Sequence, residues 1–144
     1  MTESIVVDAS VVVKWYITEK YSEEALKIRD RHVNGEIQLL APTLLPYEVI
    51  NALKYSNLYT ENELKLAATS LLNYGISLHP VTVKYAEKIV EIAVENNITV
   101  YDASYIALSV INNTRMITAD EKLIEMLKPK IKKSVAHISE VKDA

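Results

Sequence analysis

The chain has 144 residues, enough for one domain that buries roughly 70% of its unfolded surface, and its 49% hydrophobic and 24% charged residues exclude a disordered chain or a fibrous repeat. Cysteine is absent, which removes disulfides, thiolate catalysis and thiolate metal sites and is compatible with a reducing compartment. A net charge of −3 argues against bulk, unspecific nucleic-acid binding and leaves room only for a nucleic-acid partner held by local patches. Glu3 stands where a signal peptide carries basic charge, Asp8 and Lys14 break the first apolar run, and no stretch spans a bilayer. A cytoplasmic protein with no membrane partner is therefore expected.

In chain order, Ser4 to Val7 is a β-branched run that reads as a strand covered on both faces, and it stops at Asp8. A short helix from Ala9 to Trp15 and a longer one from Ser22 to Asn34, closed by Gly35, follow. IQLLAP is a second strand, and TLLPYEVINALKYS is a helix with Thr43 as its cap and Pro46 in its first turn. Thr60 to Asn73 is a helix ending at Gly75, ISLHPV a short strand, and Val81 to Asn96 an amphipathic helix. TVYDASYIALSVINN is a helix capped by Thr99, RMITAD a strand ending at Asp120, EKLIEMLK a short helix, and SVAHIS a last strand. Strands separated by helices require parallel pairing with right-handed crossovers. The fold class expected is α/β, a three-layer α/β/α sandwich around a central, mainly parallel sheet, as one domain over residues 1–144.

Asp8 and Asp120 both follow strands, so a parallel sheet brings them to one edge. Asp102 opens a helix just after the VENNIT turn, and Glu48 lies one turn into the helix after IQLLAP. Each of three acids has a plain structural reading: Asp8 and Asp120 at N-cap positions, and Asp102 three residues after Thr99, the acidic place in a capping box. Glu48 has no such role, because its helix already has a cap and its neighbours Val49, Ile50, Ala52 and Leu53 look buried. Gathered at one edge, like charges about 4 Å apart repel by about 4 kcal/mol per pair at an effective dielectric near 20. Either some of them hold a proton or a cation neutralises them, and an all-oxygen site suits a hard ion such as Mg²⁺ or Mn²⁺.

The blocks VVDASVVVKW, PYEVINAL, TVYDASYIAL and MITADEKL resemble, in order and spacing, those of the PIN domain, and within it the VapC-like ribonuclease toxins of prokaryotic toxin–antitoxin pairs. The resemblance runs from Ile5 to about Ser139. It implies a divalent-metal-dependent ribonuclease in which Asp8, Glu48, Asp102 and Asp120 match the family's acidic, metal-holding site. Ser10 and Thr118 match small hydroxyl positions that orient a carboxylate or a water. Asn51, a turn after Glu48, matches a position that some relatives keep polar, or is a surface helix residue. The resemblance further implies an RNA substrate, a cognate antitoxin protein and a homodimer, whose interfaces the apolar residues of Ser22 to Asn34 and Thr60 to Asn73 could serve if they are not simply core.

A bare acidic crevice repels RNA, so the cation would receive the phosphate as well as activate water. His32, His79 and His137 read as structural residues rather than a pair for metal-free attack by the ribose 2′ hydroxyl, so 5′ phosphate ends are the expected products. Lys14 either meets phosphate or is solvated, Trp15 reads as core, and Lys128, Lys130, Lys132 and Lys133 form a solvated loop around Pro129 or a track for the RNA backbone. Two rivals remain. A receiver-like phosphotransfer domain fits less well, since VVDAS offers one acid where two adjacent ones are wanted. A non-catalytic module of the same fold, binding RNA or protein, is opposed by the four intact acids.

Overall fold

The computed structural model describes residues 2–141; residue 1 and the last three of the expected 1–144 domain lie outside. Five strands, β1 (Glu3–Val7), β2 (Ile37–Pro42), β3 (Ser77–His79), β4 (Met116–Thr118) and β5 (Val135–His137), pair in parallel in the order β3-β2-β1-β4-β5. The strand order reverses at β1. Successive connections run outward from β1 through β2 to β3, then cross back to β4 on the other side, and this leaves a crevice at the carboxyl ends of β1 and β4.

The helices are α1 (Ala9–Val12), α2 (Ser22–Val33), α3 (Leu45–Tyr55), α4 (Glu61–Asn73), α5 (Val83–Asn96), α6 (Val100–Ile111), α7 (Glu121–Met126) and α8 (Pro129–Lys132). Right-handed crossovers place α1 to α4 on one face of the sheet and α5 with α6 on the other, completing the three layers. Strand β1 is covered on both sides: Ile5, Val6 and Val7 are all buried. Helix α6 is buried from Ala103 to Ser109 between the sheet and α5, which explains its small residues at 103, 104, 107 and 109. The Ser104 and Ser109 hydroxyls donate back to the Tyr101 and Ile106 carbonyls, so neither leaves a polar atom stranded. Among the described residues, no helix is long and apolar enough to cross a membrane.

The element order matches the expectation, with three local differences. The first helix is four α-helical residues followed by a 3-10 turn, Val13–Trp15. Thr43 does not cap α3: Leu44, already helical at φ −65° and ψ −28°, takes that place without a side-chain bond, and the Thr43 amide instead donates to the His79 carbonyl, extending the β2–β3 ladder. Pro46 does stand in the first turn, where its missing N–H costs little. The stretch around Pro129 is the short helix α8 rather than a loop, because Ile131 packs into the core and the Lys128 amide is fixed by the Asn96 side chain at 2.9 Å. Gly35 and Gly75, at φ +78° and +71°, take the left-handed positions that end α2 and α4.

Ile117 is fully buried in β4, beside Val7 in the register that aligns the two strand ends. Ile117→Ala is expected to cost about 2–5 kcal/mol of stability in urea unfolding, the usual range for such truncations.

Candidate active site

Asp8 leaves β1 with extended backbone and caps α1, accepting the Val11 amide at 3.3 Å. Its Oδ1 also accepts the Ser10 hydroxyl at 2.5 Å, and its Oδ2 accepts the Thr118 hydroxyl from the end of β4 at 2.5 Å. The two hydroxyls are themselves held: Ser10 Oγ accepts the Ala119 amide and Thr118 Oγ1 accepts the Asp120 amide. This knot ties β1 to β4. Burial raises the Asp8 carboxyl to about 6 against the lowering effect of Ser10, Thr118 and the Val11 amide, and Asp102 adds to the rise.

Glu48 projects from the first turn of α3 and accepts the Tyr105 hydroxyl of α6 at 2.5 Å. Burial raises its carboxyl, the Tyr105 bond lowers it, and Asp102 raises it further. Tyr105 is 2% exposed, and its own hydroxyl is driven well above the usual phenol range by burial, by its bond to Glu48 and by the charges of Glu48 and Asp8. Asp102 sits in the first turn of α6, where Thr99 caps its amide at 3.0 Å; burial raises its carboxyl, Thr99 lowers it, and Asp120 raises it. Asp120 caps α7 by accepting the Leu123 amide at 3.0 Å.

Asp102 is thus the electrostatic hub: its charge acts on Asp8 and on Glu48, and the charge of Asp120 acts on it. Asp8 and Asp120 are helix caps as the plain structural reading expects, and of the four acids Glu48 and Asp120 line the cavity beside the strand ends, while Asp8 lies buried behind Ser10 and Asp102 is not part of the wall. An open cavity of about 690 Å³ lies beside them, and its polar wall includes Ser10, Glu48 and Asp120. The donor chemistry fits a hard divalent ion, being all oxygen, mutually repelling and partly buried. Convergence is incomplete: among the described residues, no three His, Asp or Glu side chains stand as a ready set of metal ligands. Asp8 in particular has both oxygens engaged by protein donors.

The supporting residues divide. Ser10 and Thr118 hold the first acid as the sequence suggests, whereas Asn51 is exposed and outside the cavity, whose wall is made by Ala52 one residue on. Lys14 is not a solvated surface residue: it is 9% exposed, paired with Glu19 at 2.9 Å, and lines the cavity. Trp15 is core, its indole donating to the Ala25 carbonyl and its ring edge-on to Tyr74. The three histidines bond structural partners, His32 the Tyr74 carbonyl and the Leu39 amide, His79 Ser77, and His137 Ser139, and none lines the cavity. The exposed lysines from Lys128 to Lys133 lead into the start of β5, toward the strand ends opposite Asp8 and Asp120, and none lines it either. Tyr105 is the residue that sequence reasoning missed. The signal was present, since Tyr105 lies three residues after Asp102 in YDASY, one helical turn along α6.

Residues 5–128 match the family model of the PIN domain. Ribonuclease VapC3 of Pyrobaculum aerophilum is 32% identical over 129 residues, covering 84% of this chain and 92% of that protein. Two crystal structures share the fold. PAE2754 from Pyrobaculum aerophilum has a TM-score of 0.64 at 22% identity, over 96% of this chain and 92% of that one. VapC20 of Mycobacterium tuberculosis, a toxin that cleaves the sarcin-ricin loop, has a TM-score of 0.65 at 15% identity, over 83% and 92%. With the acidic crevice at the switch point of the sheet and the match over most of its length, the chain belongs to the PIN domain family and is similar within it to the VapC ribonucleases.

Proposed function

We propose that the chain is a Mg²⁺- or Mn²⁺-dependent endoribonuclease of a single domain, a cytoplasmic, homodimeric toxin restrained by a cognate antitoxin. The observation that carries the reading is the crevice at the carboxyl ends of β1 and β4: Glu48 and Asp120 line it, its wall residue Ser10 binds the buried Asp8, and the charge of Asp102 adds to the rise that burial causes in the Asp8 and Glu48 carboxyls. Capping accounts for two of those positions but not for Glu48, which a buried tyrosine holds toward the cavity. A relative named as a ribonuclease agrees with an RNA substrate, as does a structural neighbour named as a toxin that cleaves the sarcin-ricin loop. Leu66 and Leu72, exposed on α4, are compatible with a homodimer contact on the expected Thr60 to Asn73 helix.

Asp8 and Asp102 would hold the ion, with Glu48 and Asp120 binding directly or through water. Once bound, such an ion supplies Lewis-acid charge to a phosphate oxygen and makes a water acidic enough to attack in line. The protein's share is placement. Ser10 and Thr118 fix the plane of the Asp8 carboxylate between two strand ends, and Tyr105 fixes one oxygen of Glu48 while the other has no hydrogen bond among the described residues. Asp120 keeps one oxygen on its helix cap and the second available. The cavity wall of Ala9, Val13 and Ala52 gives substrate an apolar flank beside the acids.

End-labelled RNA of mixed sequence should be cut by the wild type with Mn²⁺ or Mg²⁺ and not in EDTA, and Asp8→Asn should lose at least 100-fold in rate. The products should carry 5′ phosphate ends; 2′,3′-cyclic phosphates would sink the reading. If the wild type binds RNA or a protein partner and cuts nothing under any metal, the chain is a binding module of this fold.

Tyr105→Phe removes one hydrogen bond and keeps the buried ring, so the fold should persist while Mn²⁺ affinity or cleavage falls about 10–100-fold, as is usual for residues that orient a metal ligand. Calorimetric titration of Mn²⁺ without RNA checks it, and unchanged affinity and rate together would remove Tyr105 from the site.

Without metal, the raised Asp8 carboxyl also makes a stability statement. The folded state holds this proton to about pH 6, and an unfolded aspartate releases it near its ordinary value of 3.8. The folded state therefore loses stability as pH rises between about 4 and 6, by about 3 kcal/mol for this group. In EDTA at pH 7.5, Asp8→Asn should melt about 5–10 °C above the wild type. The difference should vanish at pH 4.

A further inference from the structure

The cavity beside the carboxylates holds a cation that the proposed reaction leaves unused. Lys14, at the 3-10 turn after α1, is 9% exposed and lines the cavity together with Ser10, Glu48 and Asp120. A buried ammonium needs a counter-charge, and Glu19 supplies it, with Nζ 2.9 Å from Oε1. That bond uses one of the three N–H donors, and no other hydrogen-bond partner of Nζ is found among the described residues. Glu19 is 43% exposed, so the pair has one anchored member at the wall and one partner open to solvent.

The loop that carries Glu19 is clamped rather than loose. The Glu19 amide donates to Ser22 Oγ at 2.9 Å, the Ser22 hydroxyl donates to the Ile17 carbonyl at 3.1 Å, and the Ser22 amide donates to the Glu19 carbonyl. Tyr21 is held at φ +70°, a left-handed conformation that a bulky residue adopts only where its surroundings impose it. Lys122 is the cavity's second lysine, and it is exposed. The position of Lys14 is set by the fold, and that of Lys122 is not.

We propose that Lys14 is the positioning residue that receives the RNA backbone beside the carboxylates, its ammonium meeting a non-bridging phosphate oxygen, and that Glu19 is its counter-ion in the substrate-free protein. The identity of the substrate rests on the nuclease reading. An incoming phosphodiester meets acids on one wall, and a fixed positive point charge on the adjoining wall sets the side from which it enters. Glu19 occupies the ammonium until phosphate replaces it, so lysine and glutamate have opposite effects on substrate affinity.

The test is fluorescence anisotropy of a labelled single-stranded RNA, with Ca²⁺ replacing Mg²⁺, over a series of KCl concentrations. Wild type is compared with Lys14→Gln, Lys14→Arg and Glu19→Gln, and thermal melting reports folding. Lys14→Gln should weaken binding about tenfold and lower the salt slope by about 0.7, the value of one lost phosphate contact on a single strand. Lys14→Arg should restore most of both, and Glu19→Gln should tighten binding. An ion pair that only braces the loop predicts that both neutral variants weaken binding alike with the slope unchanged, and that result overturns the proposal, as does an unaltered affinity in Lys14→Gln. A wild type that shows the Lys14-dependent slope yet cuts no RNA with Mg²⁺ would sink the nuclease reading alone. One that cuts RNA while Lys14→Gln keeps the full slope would sink this one alone.

Discussion

The crevice depends on the bond between Thr118 and Asp8, which joins the ends of two adjacent parallel strands through side chains rather than backbone. Proton counting shows how tightly it is determined. With Asp8 ionised, the Thr118 and Ser10 hydroxyls each give their only proton to the carboxylate and accept a backbone amide, from Asp120 and Ala119 respectively. Their mutual approach of 3.3 Å then has no proton to share. If Asp8 gains a proton, one hydroxyl is released and can donate to the other. The knot therefore has two satisfied states, and the backbone of the β4–α7 turn is held in both.

The same knot explains why burial and hydrogen bonding pull Asp8 in opposite directions. Three donors favour the charge, and seven per cent exposure opposes it more strongly. A fold selected for stability alone would place an Asn or Ser at such a cap, with no desolvated charge to carry. Retaining a carboxylate there, with Asp102 working against it, makes sense where a cation offsets the repulsion. Functional sites are where such local costs collect.

Legibility in the sequence followed the range of each interaction. The strands and helices carry their signals within a few residues: the β-branched run of β1, glycines at left-handed positions, and Thr99 before an acid. The positions of the four acids of the proposed site could be read from the sequence because each sits at, or within one turn of, an element boundary, and a parallel sheet fixes where boundaries go. The Thr43 cap failed because a hydroxyl near a helix start is equally able to stand in a preceding turn, and the β2–β3 ladder claimed its backbone. For Lys14 and Asn51 no local signal decided burial, and for Tyr105 the spacing from Asp102 was local but its partner was not. The Tyr105 partner lies 57 residues away, Lys14 is buried at the wall although its partner is only five residues on, and Asn51 is exposed, so only the packed chain decides which side chain the crevice receives.

Capping and site chemistry are better seen as coupled than as rivals. An acid that must cap its own helix has one oxygen committed to an amide, as Asp120 does with Leu123. Where a neighbouring hydroxyl takes over the cap, the acid is released. Thr99 satisfies the Asp102 amide, so the Asp102 carboxylate is not required for the start of α6 and stands available as the hub of the acidic set. Likewise Pro46 removes one amide from the first turn of α3, lessening that helix's need for a side-chain cap, and Glu48 is free to turn toward Tyr105 and the cavity. The residues that begin helices near the crevice thus decide how many carboxylate oxygens remain for a ligand at the proposed site: Thr99 by taking the Asp102 amide, and Pro46 by removing an amide from the turn that carries Glu48.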